Sequence, residues 1–167
     1  RYVSFKMMPF TFKEVCELKQ IKNPTERDLK EYIEWGGMPQ IYNLSTNEEK
    51  KYFLQDLYNS IILKDIIERT KIKDVDLLNR ILQFMMENVG GIFSANSIKN
   101  FLKQESINTS TDTILNYVEN IISSLVINKV NRYDIRGKKV MATQEKYYMS
   151  DLGMMQLKIS SKEKSIG

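Results

Sequence analysis

Residues 110–151, "STDTILNYVENIISSLVINKVNRYDIRGKKVMATQEKYYMSD", change period partway along, and that change decides the fold. In the first half Ile114, Leu115, Val118, Ile121, Ile122 and Leu125 recur at helical spacing behind Ser110, whose hydroxyl is placed to cap the first turn. Further on, "NKVNRYDI" and "KVMATQEKYYMSD" read as strands, and "RGKK" between them sets Gly137 at a tight turn. A helix from Ser110 to Ile127 followed by a β-hairpin is the expectation.

Working outward, "FSANSIKNFLKQE" reads as a helix capped by Ser94, with Ile98, Phe101 and Leu102 on one side. Before it, "VDLLNRILQFMMENVGG" gives another helix that stops at Gly90 and Gly91. Three helices and then a hairpin are the parts of a winged helix, a helix-turn-helix with a β-wing. Its core is expected to unite Met85, Phe101, Leu115, Val118, Ile122 and Leu125, which lie on the apolar faces of consecutive helices.

Further upstream the grammar is again helical. "YVSFKMMPF" alternates as a strand from Tyr2 to Met7, stopped by Pro9, and Thr11 caps a short helix through Lys19. "NPTERDLKEYIEW" is a second helix with Thr25 at its N-cap, broken by Gly36 and Gly37, and Pro39 keeps it from resuming at once. "TNEEKKYFLQDLYNSIILKDIIERT" then spaces its apolar residues as one long helix, with a domain boundary near "TKIKD", residues 70–74. The fold class is therefore mainly α, a helical bundle followed by a winged helix-turn-helix that ends in a β-hairpin.

Composition narrows the chemistry. The 167 residues, 42% of them hydrophobic, are enough to bury a core. A balance of 25 Lys+Arg against 21 Asp+Glu, net +4, permits nucleic-acid contact without demanding it. Cys16 is the single cysteine and there is no histidine, which excludes an internal disulfide and the ordinary Cys/His zinc sites and points to a reducing, cytoplasmic setting. No apolar run approaches the ~20 residues that cross a bilayer.

Catalytic patterns are poor. A phosphate-binding Walker A loop needs glycine five residues before its Gly-Lys and Ser or Thr after it, but Gly137-Lys138 has Arg132 and Lys139 at those places. Metal-dependent nucleases of the PD-(D/E)xK type need carboxylates and a lysine at a sheet edge, whereas Glu17 with Lys19 and Glu48 with Lys50 fall in helical segments. Asp65 and Arg69, four apart on the long helix, read either as an intrahelical ion pair or as an arginine reaching a nucleotide or a neighbouring subunit.

The segments "RYVSFKMMPFTFKEV", "YIEWGGMPQIY", "LKDIIERTKIKD", "FSANSIKNFLKQE", "NTSTDTILNYVENI" and "KYYMSDLGM" resemble, in order, the C-terminal half of a prokaryotic AAA-type ATPase family that carries a C-terminal domain of unknown function. The resemblance runs from Arg1 to about Leu157. It implies residues 1–9 as the last strand of an upstream ATPase core, 10–72 as a helical lid, 73–151 as the winged helix, and 152–167 as a tail or the start of a nuclease-like domain. It also implies ATP and Mg in the full-length protein, with no cofactor in this part, which lacks Walker A and B. The partners implied are the chain's own upstream core and downstream domain.

Related ATPases carry a glycine-x-proline element in the lid, where proline packs near adenine. Gly37-Met38-Pro39 matches it, so the resemblance makes Gly36, Gly37, Pro39 and Arg69 the nucleotide-facing residues. The same letters also read as a helix C-cap followed by a proline stop, with no ligand. For the winged helix, the expected recognition helix offers Asp112, Asn116, Glu119 and Asn120 and no cation, a poor insert for a polyanionic groove. The wing carries Lys129, Arg132, Arg136, Lys138 and Lys139, which either hold DNA phosphates or are solvated charges that protect an edge strand. Two roles stay open, a protein-docking module and a noncatalytic DNA-binding regulator, and the charge pattern favours docking.

Overall fold

The periods translate into α1 (Phe12–Leu18), α2 (Glu26–Trp35), α3 (Asn47–Ser60), α4 (Val75–Glu87), α5 (Ala95–Gln104), α6 (Thr111–Ser123), β1 (Ile127–Asp134) and β2 (Lys139–Met149). This is a computed structural model of the chain, and it describes residues 3, 5–70, 72–135, 137 and 139–156. The protein is mainly helical, with a small antiparallel sheet near its C-terminus. Among the described residues no helix is long and apolar enough to cross a membrane.

The strand expected from Tyr2 to Met7 does not form at its described positions. Val3 and Phe5–Met7 have no strand partner among the described residues, and Val3, Phe5 and Met7 expose their side chains. A ladder needs a neighbour to take its N–H and C=O groups.

Two compact units result. The first joins the chain up to Tyr58 with the chain from Ser150 on, and the second is Asn59–Met149. Asp151, Gly153 and Met154 are buried within the first unit.

In the first unit the helix starts follow local chemistry. Thr11 with Glu14 forms a reciprocal capping box, and at the start of α2 the Asp28 carboxylate accepts both the Thr25 N–H and the Thr25 hydroxyl, so each pair closes an open N–H at the helix start. Glu14 and Asp28 are held below their usual carboxylate range chiefly by these hydrogen bonds to Thr11 and Thr25. The end of α1 needs no glycine: Gln20 takes φ 57, the Ile21 N–H donates to Cys16 O at 2.8 Å and the Gln20 N–H to Glu17 O at 3.1 Å. That pair of bonds is a Schellman motif. Trp35, Ile41 and Leu54 form a buried cluster, and Pro39 begins a 3₁₀ turn, Pro39–Asn43, that carries Ile41 into it.

In the second unit the expected long helix changes winding. After α3 the chain continues as a π-helix, Ile61–Glu68, which rotates each successive residue less and buries Ile66 fully. Helices α4, α5 and α6 pack on one another around Leu78, Ile81, Met85, Ile98, Leu102, Ile114 and Ile121. Of the expected shared core, Met85 and Val118 are buried, and Phe101, Ile122 and Leu125 are half-buried. Leu115 is a correction, being 47% exposed. The buried face of α6 is Ile114, Tyr117, Val118 and Ile121, and at 100° per residue Leu115 falls beside that stripe. The helix also stops at Ser123, short of the expected Ile127, because Leu125 takes φ 61 and turns the chain into β1.

The hairpin pairs Ile127 with Met149 through Val130 with Lys146, shifts register, and resumes at Arg132 with Met141. Ile92 adds one antiparallel bridge to Lys146. Phe93 stacks on Tyr147 with centroids 4.5 Å apart, and Phe84 meets Phe93 edge-on at 5.4 Å, which ties the hairpin to α4.

Candidate functional site

Two places gather the residues that the sequence singles out, one in each unit. In the second unit, α6 presents Asp112, Leu115, Asn116 and Glu119 to solvent. Asp112 lies in the first turn, where a carboxylate suits the positive end of the helix. Asn120 and Asn116 spend a donor and an acceptor on each other at 3.0 Å. Arg69 donates to the Ser123 hydroxyl at 2.9 Å, which places a cation at the negative end of α6. Asp65, its expected ion-pair partner, falls where side chains are not described.

On the wing, Lys129 is an ion-pair partner of Glu145 at 3.0 Å across the strands. The Tyr147 hydroxyl donates to the other Glu145 oxygen at 2.9 Å, and burial, helped by Glu145, pushes that phenol well above its usual range. Arg132 is exposed beside the register shift, and Lys139 begins β2. Arg136 and Lys138 lie outside the described residues. Lys129 thus has its charge largely compensated by Glu145, which weakens it as a phosphate contact.

In the first unit, the Gly36-Gly37 corner is closed by the chain itself. Gly36 ends α2 at φ 78 and its carbonyl accepts from the Tyr42 hydroxyl at 2.5 Å. The Gly37 carbonyl accepts from the Phe10 N–H at 2.8 Å, and the Phe10 carbonyl accepts from the Tyr32 hydroxyl at 2.9 Å. Asp151, only 2% exposed, takes the Gly37 N–H on Oδ2 at 2.8 Å and the Gly153 N–H on Oδ1 at 2.9 Å. A Cβ on Gly36 would fall 2.0 Å from Asp151 Oδ1, and one on Gly37 2.0 Å from the Phe10 carbonyl oxygen. Burial pushes the Asp151 carboxyl above its usual range, although the N–H groups of Gly37, Gly153 and Met154 pull the other way.

Of the four residues that the resemblance assigns to a nucleotide, Gly36, Gly37 and Pro39 therefore share this corner, while Arg69 lies in the other unit. The close backbone approach that the glycines permit is used by Phe10 and Asp151. Sequence reasoning missed Asp151 as the anchor. Its only signal was the D-x-G of "SDLGM", more than a hundred residues from the corner it serves.

The two E-x-K pairs also resolve. Lys19 meets Glu31 at 2.7 Å and Lys50 meets it at 3.5 Å, and Lys50 also lies over the Trp35 ring at 5.2 Å. They bind helices together. No group of His, Cys, Asp or Glu among the described residues is arranged to hold a metal ion.

Comparison with known proteins gives a family. The model described as "Domain of unknown function (DUF8612)" matches residues 26–164. An uncharacterized protein of Haemophilus influenzae is 32% identical over 165 residues, covering 97% of this chain and 41% of that protein. An uncharacterized protein of Methanocaldococcus jannaschii is 25% identical over 170 aligned residues, covering 96% of this chain and 38% of that protein. The chain spans about two fifths of the length of these relatives. No solved structure matches it.

Proposed function

Because this chain belongs to the DUF8612 family, a domain of unknown function, we propose its role from geometry: it is a noncatalytic protein-docking module whose working surface is the exposed face of α6. The observation that carries this reading is the character of that face, where Leu115 is 47% exposed between Asp112 and Glu119 on a helix, Thr111–Ser123, whose own sequence holds no Lys or Arg. An apolar side chain ringed by carboxylates suits a protein partner and repels a phosphate backbone. The wider frame is an AAA-type ATPase. In it residues 10–72 serve as the lid of an upstream core that binds ATP with Mg, and a nuclease-like domain follows. The order of six sequence segments supports that frame, and so does the greater length of the relatives. In the frame Gly36, Gly37 and Pro39 shape the lid from within.

The alternative, a DNA-binding regulator, rests on the wing cations, and a titration separates the two. A labelled duplex mixed with the chain at ~50 mM salt is expected to show no salt-dependent binding up to roughly 100 µM protein. Binding that falls steeply with salt and drops when Arg132 and Lys146 are changed to Ala overturns the docking reading.

A further inference from the structure

The first unit is interrupted in sequence. Its two stretches, up to Tyr58 and from Ser150 on, are separated by residues 59–149, which form the second unit without a break. The returning stretch is held backbone against backbone. A Cβ on Gly153 would fall 2.3 Å from the Trp35 carbonyl oxygen, as one on Gly37 would fall 2.0 Å from that of Phe10. Asp151 takes the Gly37 N–H at 2.8 Å, and Met154 beside it is buried. Without this clasp the first stretch has helices of 7, 10 and 14 residues and a buried cluster of Trp35, Ile41 and Leu54. Residues 1–58 with so small a core are marginal on their own.

Connectivity makes the clasp depend on what lies between. With residues 59–149 unfolded, returning Asp151 to Gly37 closes a long flexible loop. Closure falls off as the 3/2 power of loop length, roughly a thousandfold for about 90 residues relative to ends already held together. A folded second unit holds its two ends at a fixed separation and removes that penalty. The second unit needs nothing comparable, since α4, α5 and α6 pack around Leu78, Ile81, Ile98 and Ile121 within one unbroken stretch. We infer that folding is coupled in one direction: the first unit closes only on a folded second unit, whereas the second unit folds whether or not the first is closed. A partner that binds the folded second unit therefore also steadies the clasp, by mass action, while opening the clasp leaves the second unit intact. The coupling comes from the course of the chain and does not depend on which partner binds.

Two variants of the chain, each read by two probes, test it. Trp35 is the single tryptophan and is buried in the first unit, so its fluorescence reports that unit, and amide hydrogen exchange in α4, α5 and α6 reports the second. Gly153→Ala forces the clasp away from the Trp35 carbonyl. Trp35 emission is expected to shift toward that of a water-exposed indole, while exchange protection in the three helices stays within about twofold of the wild type. The pair Ile81→Asp with Ile121→Asp puts carboxylates at two fully buried positions of the second unit. Protection in the three helices is then expected to be lost, and Trp35 to become exposed with it, although every residue of the first unit is unchanged. A Trp35 that stays buried in the Asp pair overturns the inference, because the first unit then folds alone. Loss of helix protection in Gly153→Ala overturns it as well, since the dependence is then mutual. So does a Trp35 that stays buried in Gly153→Ala, because the clasp then does not hold the unit.

Discussion

Gly37→Ala is expected to unfold the first unit. The added Cβ would stand 2.0 Å from the Phe10 carbonyl oxygen and 2.8 Å from its nitrogen, both backbone atoms. Relief by rotating a side chain is impossible, so the extended segment at Phe10 has to leave. With it go the Phe10–Gly37 bond and the Tyr32 bond to Phe10, and the N–H of Gly37 loses its alignment on Asp151. The cost is about 3 kcal/mol or more, at the upper end of overpacking penalties. Urea unfolding followed by Trp35 fluorescence reads it directly, because the single tryptophan is buried in this unit. A midpoint close to the wild type would mean that Phe10 does not sit on the corner.

Asp151→Ala is expected to cost roughly 2–6 kcal/mol, since it strips partners from two buried N–H groups at about 1–3 kcal/mol each. The variant also predicts a pH dependence. Burial raises the carboxyl in the folded state above its ordinary value, so the folded form holds the proton more tightly than the unfolded chain does. The stability that Asp151 contributes is therefore complete below the unfolded pKa, about 3.9. It declines as pH rises through the raised folded value. The difference between wild type and Asp151→Ala should be larger at about pH 3.5 than at about pH 7.5. A difference that grows with pH would mean that the N–H donors of Gly37, Gly153 and Met154 outweigh burial.

What could be read from sequence was what is local. The caps at Thr11, Ser94 and Ser110 stand where the letters place them, because a hydroxyl reaching an N–H three residues on is a short-range event, and at Thr25 the Asp28 carboxylate three residues on takes the Thr25 N–H instead. The change of period after α6 likewise yields the hairpin. Leu115 was misread because six apolar residues in the segment are more than one helix face holds, and only the neighbours α4 and α5 decide which are covered. The helix ends at Gln20, Ser106 and Leu125 lack the glycine that announces a left-handed residue, and nothing in the letters announces them. The π-winding after Ser60 and the hairpin's register shift are choices between close backbone alternatives that packing settles. The corner was partly legible. Two glycines before a proline signal close approach, but what approaches is Asp151, brought back across the whole second unit.

The central claim is that the outward face of α6 docks a partner and does not support the core. Leu115→Gln tests it most directly, measured for stability in urea, because it removes the apolar side chain without adding a charge beside Asp112 and Glu119. Stability is predicted to change by less than about 1 kcal/mol, because the side chain is already half in water and glutamine is nearly as good a helix former as leucine. A stability loss of roughly 2–5 kcal/mol, the range for a buried leucine, would contradict the account.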